Sequence, residues 1–460
     1  NDGLKGLTSN PSIFEKAIGH SKEYDDEIAT LLKSGCGDVG TIFRQLAVGD
    51  IRAAADALAP VYEATKAADG YVSLEVSPYI ARNTKATIAE AHELWNAVAR
   101  DNLMIKVPGT PEGVPAIRQL IADGMNINVT LLFSRDASPP VAATYIAGLE
   151  ALPPGADLSR SASVASFFVS RIDAKIDSEI GEKLKTASGA DRARLESLLG
   201  KVAIANAKLA YQDFERLFSG PRWEALAKRG ARVQRLLWAS TGTKNKTYSD
   251  VLYVDTLIGP ETVNTLPPDT LAAFRDHGKP QNSLQADVPG AEKILADLKA
   301  AGISLDATTD WLVEDGVEKF ADSADQLYGA IAEKCDVLSG QKVKINYNLG
   351  GASAAVDAAT KAWSKAGKVR RLWEKDATLW SGKDEAKWLG WLDVPTRERA
   401  GFPALKDFAG RVHSKGWSDV VLLGMGGSSL GAEVLRETFG QQAGAPHFHI
   451  LDSTDPDEIG

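Results

Sequence analysis

Leu103-Met104-Ile105-Lys106-Val107-Pro108-Gly109-Thr110 sets a lysine inside an apolar, β-like run and ends that run at a proline and a glycine. A strand that is apolar on both faces belongs to a parallel sheet covered by helices. Outward from it, short β-like runs at residues 4–8, 71–76, 126–132, 164–169, 234–239 and 251–257 alternate with longer stretches whose apolar residues recur at helical spacing, such as 84–98 and 115–121. Alternating β and α units predict an α/β fold with a parallel sheet, closed as a (β/α)8 TIM barrel. Only seven strands are visible. Asn1-Asp2-Gly3-Leu4 reads as a connection entering an early strand, so the expectation is a barrel whose first strand lies before residue 1.

Residues 172–218 form a long charged helical stretch, with the mixed-charge run Asp191-Arg192-Ala193-Arg194-Leu195-Glu196, and read as a solvated excursion from the barrel. Residues 291–298 and 317–331 read as closing helices. Gly340, Gly350 and Gly351 mark a composition shift, with strand-like alternation over 341–349, which places a domain boundary near residue 340. The domains expected are 1–338 and 339–460. Six of the ten tryptophans, Trp363, Trp373, Trp380, Trp388, Trp391 and Trp417, fall in the second, where they are expected to fill a core.

The 460 residues, 44% hydrophobic and 25% charged, have the balance of an ordinary soluble protein, and the net charge of -9 gives no reason to expect nucleic acid as a partner. Cys36 and Cys335 are far apart and stand in no metal-ligand spacing, which reads as two thiols in a reducing compartment. No apolar stretch approaches the roughly 20 residues that span a bilayer, and the amino end lacks a signal pattern, so the cytoplasm is expected and no membrane partner.

Lys106 is placed near a barrel mouth. Burial disfavours an ammonium, and a neutral amine can attack a ketone and form an iminium, the electron sink a retro-aldol step needs without metal or cofactor. A strand lysine by itself is more often the partner of a buried carboxylate or an edge residue. Glu75 lies in Tyr71-Val72-Ser73-Leu74-Glu75-Val76, and Asn126, Asn128 and Thr130 alternate toward one side of Asn126-Ile127-Asn128-Val129-Thr130-Leu131. An acid, an amide and a hydroxyl inside a small barrel are costly unless they bond each other or a substrate.

Four ordered motifs, Thr8-Ser9-Asn10-Pro11-Ser12-Ile13-Phe14, the strand around Lys106, Asn128-Val129-Thr130-Leu131-Leu132-Phe133-Ser134 and Ser166-Phe167-Phe168-Val169-Ser170-Arg171, resemble transaldolase over residues 1 to about 338. The resemblance implies that Lys106 forms the Schiff base, that Glu75 and Thr130 serve a proton relay through water, and that Asn10 and Asn128 orient sugar hydroxyls. Asn10 before Pro11 is also an ordinary turn former. By the same resemblance Ser166 and Arg171 hold a phosphate, and Ser240 and Lys244, in Trp238-Ala239-Ser240-Thr241-Gly242-Thr243-Lys244-Asn245, complete that pocket. Some transaldolases carry an arginine near that strand end, and Lys244 alternatively reads as a solvated turn residue. The family's catalytic aspartate sits on the first barrel strand, upstream of the Asn10 motif; Asp2 is too close to Asn10 to match it, and that role is unassigned.

In the second part, Val420-Val421-Leu422-Leu423 runs into Gly424-Met425-Gly426-Gly427-Ser428-Ser429-Leu430-Gly431 and then a helical stretch, a strand, glycine turn and helix that lets backbone N–H groups approach an anion. It lacks the lysine ending of a nucleotide loop. With His449-Ile450-Leu451-Asp452-Ser453-Thr454-Asp455-Pro456, residues 345–460 resemble the start of glucose-6-phosphate isomerase and its α/β/α sugar-isomerase fold. That implies substrate contacts from Gly427 and Ser428 and an isomerase completed only in a longer parent chain. His447 and His449 alternate without further convincing ligands, so no metal site is expected.

The leading expectation is transfer of a dihydroxyacetone unit from a ketose phosphate to an aldose phosphate, with sugar phosphates as partners. A class I aldolase that releases the three-carbon unit uses the same imine. A noncatalytic sugar-phosphate-binding module is the third reading.

Overall fold

A computed structural model describes residues 3–19, 21–340 and 349–459, in two compact units, Asn1–Gly367 and Lys368–Gly460. Asp2 and residues 341–348, read above as part of a strand-like stretch, lie outside the described residues.

The first unit is built on a seven-stranded parallel sheet in which every strand neighbours the next in sequence: β1 Gly6–Thr8, β2 Tyr71–Glu75, β3 Leu103–Pro108, β4 Ile127–Leu132, β5 Ser163–Phe168, β6 Arg235–Ala239 and β7 Thr262–Asn264. Sequential parallel pairing curls the sheet into part of a TIM-like cylinder with β1 and β7 at its edges. Strands β3, β4 and β5 are buried from end to end, their apolar residues interrupted by Lys106, Asn128, Thr130, Ser163 and Ser166. Helices Val39–Ala64, Thr84–Val98, Gly113–Ala122 and Ser138–Ala151 connect successive strands, and the closing helix Leu305–Leu338 lies against β4 and several earlier helices.

Two expectations about the first unit are corrected. Residues 251–257 are not the last strand. Leu252–Asp255 is a helical turn, and the last strand is Thr262–Asn264. A short apolar run does not separate the two conformations, and here the helical turn buries Tyr253 and Val254 while the Tyr253 hydroxyl donates to Asp173. Nor is 172–218 a solvated excursion. It forms helices Ser170–Leu184, Gly189–Leu198 and Val202–Leu217, whose Ile172, Ile176, Ile180, Leu198 and Val202 are fully buried in the one large core. Only the outward face, with the ion pairs Arg192–Glu196 and Arg194–Asp191, is solvated.

The second unit contains the parallel pair β8 Asp419–Leu423 and β9 His447–Leu451, joined through helix Gly427–Phe439. Its tryptophans do not fill a core: Trp373, Trp380, Trp388, Trp391 and Trp417 are all about half or more exposed, and among its described residues only Leu389 and Leu392 are buried large apolar side chains. The unit has a single strand pair, and helix Val394–Ser414 buries no side chain among its described residues, so no face covers them.

Candidate active site

Register brings the central residues together. Glu75 pairs with Lys106 across β2 and β3, and Lys106 with Asn128 across β3 and β4, so acid, amine and amide occupy one row on one face of the sheet. Lys106 Nζ donates to Glu75 Oε2 at 2.8 Å and to the Ser9 carbonyl at 3.4 Å, and the two side chains are only 6% and 4% exposed. Burial raises the Glu75 carboxyl above its ordinary range, against the opposing pull of Lys106 and Arg171. A carboxylate so placed accepts a proton more readily than one in water.

Beside this pair a chain of hydrogen bonds crosses the interior. Asn128 Nδ2 donates to Ser73 Oγ at 3.1 Å, and Ser166 Oγ donates to Asn128 Oδ1 at 2.6 Å. With both ends of its amide engaged, Asn128 is fixed in orientation. Two residues on, Thr130 Oγ1 is buried without a protein partner among the described residues. The strand is irregular there: its register with β5 shifts between Val129 and Leu132, and Leu131 has φ +61°, a left-handed backbone that a branched side chain rarely adopts.

The cationic end lies at the close of β5 and β6. Arg171 stands in the first turn of helix Ser170–Leu184, its Nη1 buried without a partner among the described residues, and burial lowers its guanidinium from the ordinary value. Ser240 follows β6 with φ +57°, bound to Ser170 through its carbonyl, which accepts from Ser170 N–H at 3.1 Å, and through an Oγ–Oγ contact of 3.1 Å. Lys244, exposed in its turn, is held below the usual lysine range by partial desolvation and then by the positive charges of Arg171 and Lys16. Arg171 feels the carboxylates of Asp315 and Glu75 but its Nη1 bonds neither, and the positive charges of Arg171, Lys16 and Lys244 crowded there form a place for an anion.

Asn10 is the N-cap of helix Pro11–Phe14, its Oδ1 accepting from Ile13 N–H at 2.8 Å, so the turn-forming reading describes that oxygen. A cavity of about 580 Å³ adjoins the Glu75 side of the pair, between Asn10, Glu75, Ser77, Tyr79, Glu90 and Tyr328. Gly427 and Ser428 belong to the other unit, at the start of helix Gly427–Phe439, and His449 there contacts Asp419 at 2.7 Å.

Sequence reasoning missed four residues. Phe320, from the closing helix, lies with its ring 5.5 Å from Lys106 Nζ and 5.8 Å from the Arg171 guanidinium, spanning the amine and the cationic end. No local signal distinguishes it from any other helix phenylalanine. Ser73 and Ser170 stand inside quoted motifs and were identifiable by strand alternation and adjacency to Arg171. Lys16 reaches the cation group only through the chain's return after Asn10.

The profile of the family described as Transaldolase/Fructose-6-phosphate aldolase matches residues 1–331. The chain is 48% identical over 341 residues to a protein named transaldolase from Trichodesmium erythraeum, covering 73% of this chain and 90% of that one. It is 49% identical over 346 residues to transaldolase 2 from a Nostoc species, covering 74% and 90%, and 47% identical over 331 residues to the transaldolase of Thiobacillus denitrificans, covering 72% and 90%. The buried lysine and carboxylate on neighbouring parallel strands, and the length of these matches, lead to one statement: this chain belongs to the transaldolase family and is an enzyme of the transaldolase kind.

Proposed function

We propose that residues 1–338 transfer a dihydroxyacetone unit from sedoheptulose 7-phosphate or fructose 6-phosphate to an aldose phosphate, with Lys106 as nucleophile and no cofactor. The observation that carries this reading is the 2.8 Å contact of a buried Lys106 with a buried Glu75. The amine adds to the ketose carbonyl, Glu75 takes up and returns protons through a water bound at Thr130, and loss of water leaves the iminium. The bond between C3 and C4 then breaks, its electrons entering the iminium to give an enamine, and the aldehyde departs. The C4 hydroxyl gives its proton to a general base, a role for which no residue is assigned. The enamine attacks the acceptor aldehyde, and hydrolysis of the new iminium frees Lys106.

In this reading Asn128 and the amide nitrogen of Asn10 orient hydroxyls, and Arg171, Ser240 and Lys244 receive the terminal phosphate, while Ser166, expected there too, donates its hydroxyl to Asn128 instead. Product analysis with fructose 6-phosphate and erythrose 4-phosphate tests the assignment. Sedoheptulose 7-phosphate is expected; free dihydroxyacetone as the main product would make the protein a class I aldolase.

For residues 339–460 we propose the opening portion of a glucose-6-phosphate isomerase domain with Gly427 and Ser428 against the sugar phosphate. Support comes from the parallel β8–β9 pair and the helix that starts at Gly427, where Gly426 has φ +58°. The proposal gives residues 339–460 the sugar-phosphate contacts of such a domain and none of its proton-transferring residues. An assay of the 460-residue protein for glucose 6-phosphate from fructose 6-phosphate should find none, and conversion would contradict the assignment.

A further inference from the structure

The segment that leaves β6 carries Ser240 and Lys244, and what fixes it is the helix that carries Arg171. The Tyr248 hydroxyl donates to Asp177 Oδ2 at 2.8 Å, and the Tyr253 hydroxyl donates to Asp173 Oδ2 at 2.9 Å. Asp173 and Asp177 are four residues apart on helix Ser170–Leu184, so they share one face, starting a half turn after Arg171. Their remaining oxygens accept backbone N–H groups that lead into helix Val202–Leu217, Ala203 at 2.7 Å and Gly200 at 3.1 Å. Gly200 has φ +68°, and a Cβ there would come within 2.9 Å of the Tyr248 ring, so glycine lets the ring seat. Thr243 Oγ1 closes the turn onto the Ser249 carbonyl at 2.8 Å.

Both carboxylates accept only neutral donors in these bonds, and Asp173 is 1% exposed. Burying an acid without a cation is an expensive way to attach a loop that apolar side chains would attach as well. What the carboxylates add is direction, because a hydroxyl bonded to a carboxylate oxygen fixes the tyrosine along a line as packing alone does not.

We propose that Tyr248–Asp177 and Tyr253–Asp173 are positioning pairs that hold Ser240 and Lys244 against Arg171, and so set the preference for phosphorylated over unphosphorylated substrates without touching either. This rests on the phosphate reading of Arg171, Ser240 and Lys244. Tyr248→Phe keeps the ring over Gly200 and deletes the hydroxyl. We expect the KM for fructose 6-phosphate and the inhibition constant for inorganic phosphate to rise about tenfold, with kcat within about twofold. Borohydride trapping with dihydroxyacetone, which has no phosphate, should be unchanged. Asp177→Asn, which changes the acceptor instead, should give the same pattern. Lys244→Ala should weaken phosphate inhibition, and adding Tyr248→Phe to it should weaken it no further.

Unchanged phosphate inhibition in Tyr248→Phe, an equal loss with dihydroxyacetone, or full additivity with Lys244→Ala would each overturn the positioning role. If Arg171→Ala and Lys244→Ala themselves leave phosphate inhibition unchanged, the phosphate reading falls and this proposal with it. If they weaken it and Tyr248→Phe does not, the proposal alone falls.

Discussion

Lys106 is both things its sequence allowed, the partner of a buried carboxylate and an amine at the heart of a candidate site. The two are compatible because the carboxylate that offsets the buried charge is also the nearest proton acceptor. Glu75→Gln keeps a hydrogen-bonding group of the same shape and removes the proton acceptor. Ketose binding should persist while kcat falls by about 100-fold or more; steady-state kinetics with unchanged turnover would remove Glu75 from the relay. Lys106, Glu75 and Asn128 were legible because polar groups inside apolar strands must be explained by what they face. Phe320 was not, since only the tertiary path of the closing helix brings it over Lys106. The left-handed backbone of Ser240 and Leu131 was equally hidden, because neither residue type announces it.

Among the elements, the fully covered strands were read with nearly correct limits because parallel strands buried on both faces are mostly apolar, so the few polar residues stand out against the run without hiding its ends. The error at 251–257 has a physical cause: Tyr253 turns inward to a carboxylate on another helix, a long-range bond that no local pattern encodes. Helix Ser170–Leu184 was read by its charges, whereas its apolar stripe of Ile172, Ile176 and Ile180 decides its place. Within it, burial pushes Asp173 up to about 7 from an ordinary 3.8. Its neighbours there are Tyr253, Tyr248 and Asp177. Between those values the folded protein holds a proton that the unfolded chain has released, so this residue's effect on stability becomes less favourable as pH rises from about 4 to about 7. Asp173→Asn removes that dependence. Melting temperatures followed over the interval should show the original protein losing ground to the variant; parallel profiles would contradict the assignment.

At the scale of the molecule, the large core draws its buried residues from Phe14 to Cys335, all but Cys335 inside the stretch that matches the transaldolase family. A unit with its own core folds on its own contacts. A chain ending at Gly367 should therefore keep its transaldolase kcat within about twofold, measured by product formation, and a loss of folding would show that residues 368–460 are needed. The sequence places a boundary at the glycine-marked shift near 340, while the two compact units divide between Gly367 and Lys368. The fate of the later tryptophans was not, because helical spacing says which residues share a face and not whether anything covers it. None of the described helices is long and apolar enough to cross a membrane. The account as a whole rests on the imine. Reducing the protein with borohydride in the presence of fructose 6-phosphate and mapping the peptides by mass spectrometry should locate a dihydroxyacetone-derived adduct on Lys106, absent in Lys106→Met. A folded, unlabelled Lys106, or an adduct on another lysine, would contradict it.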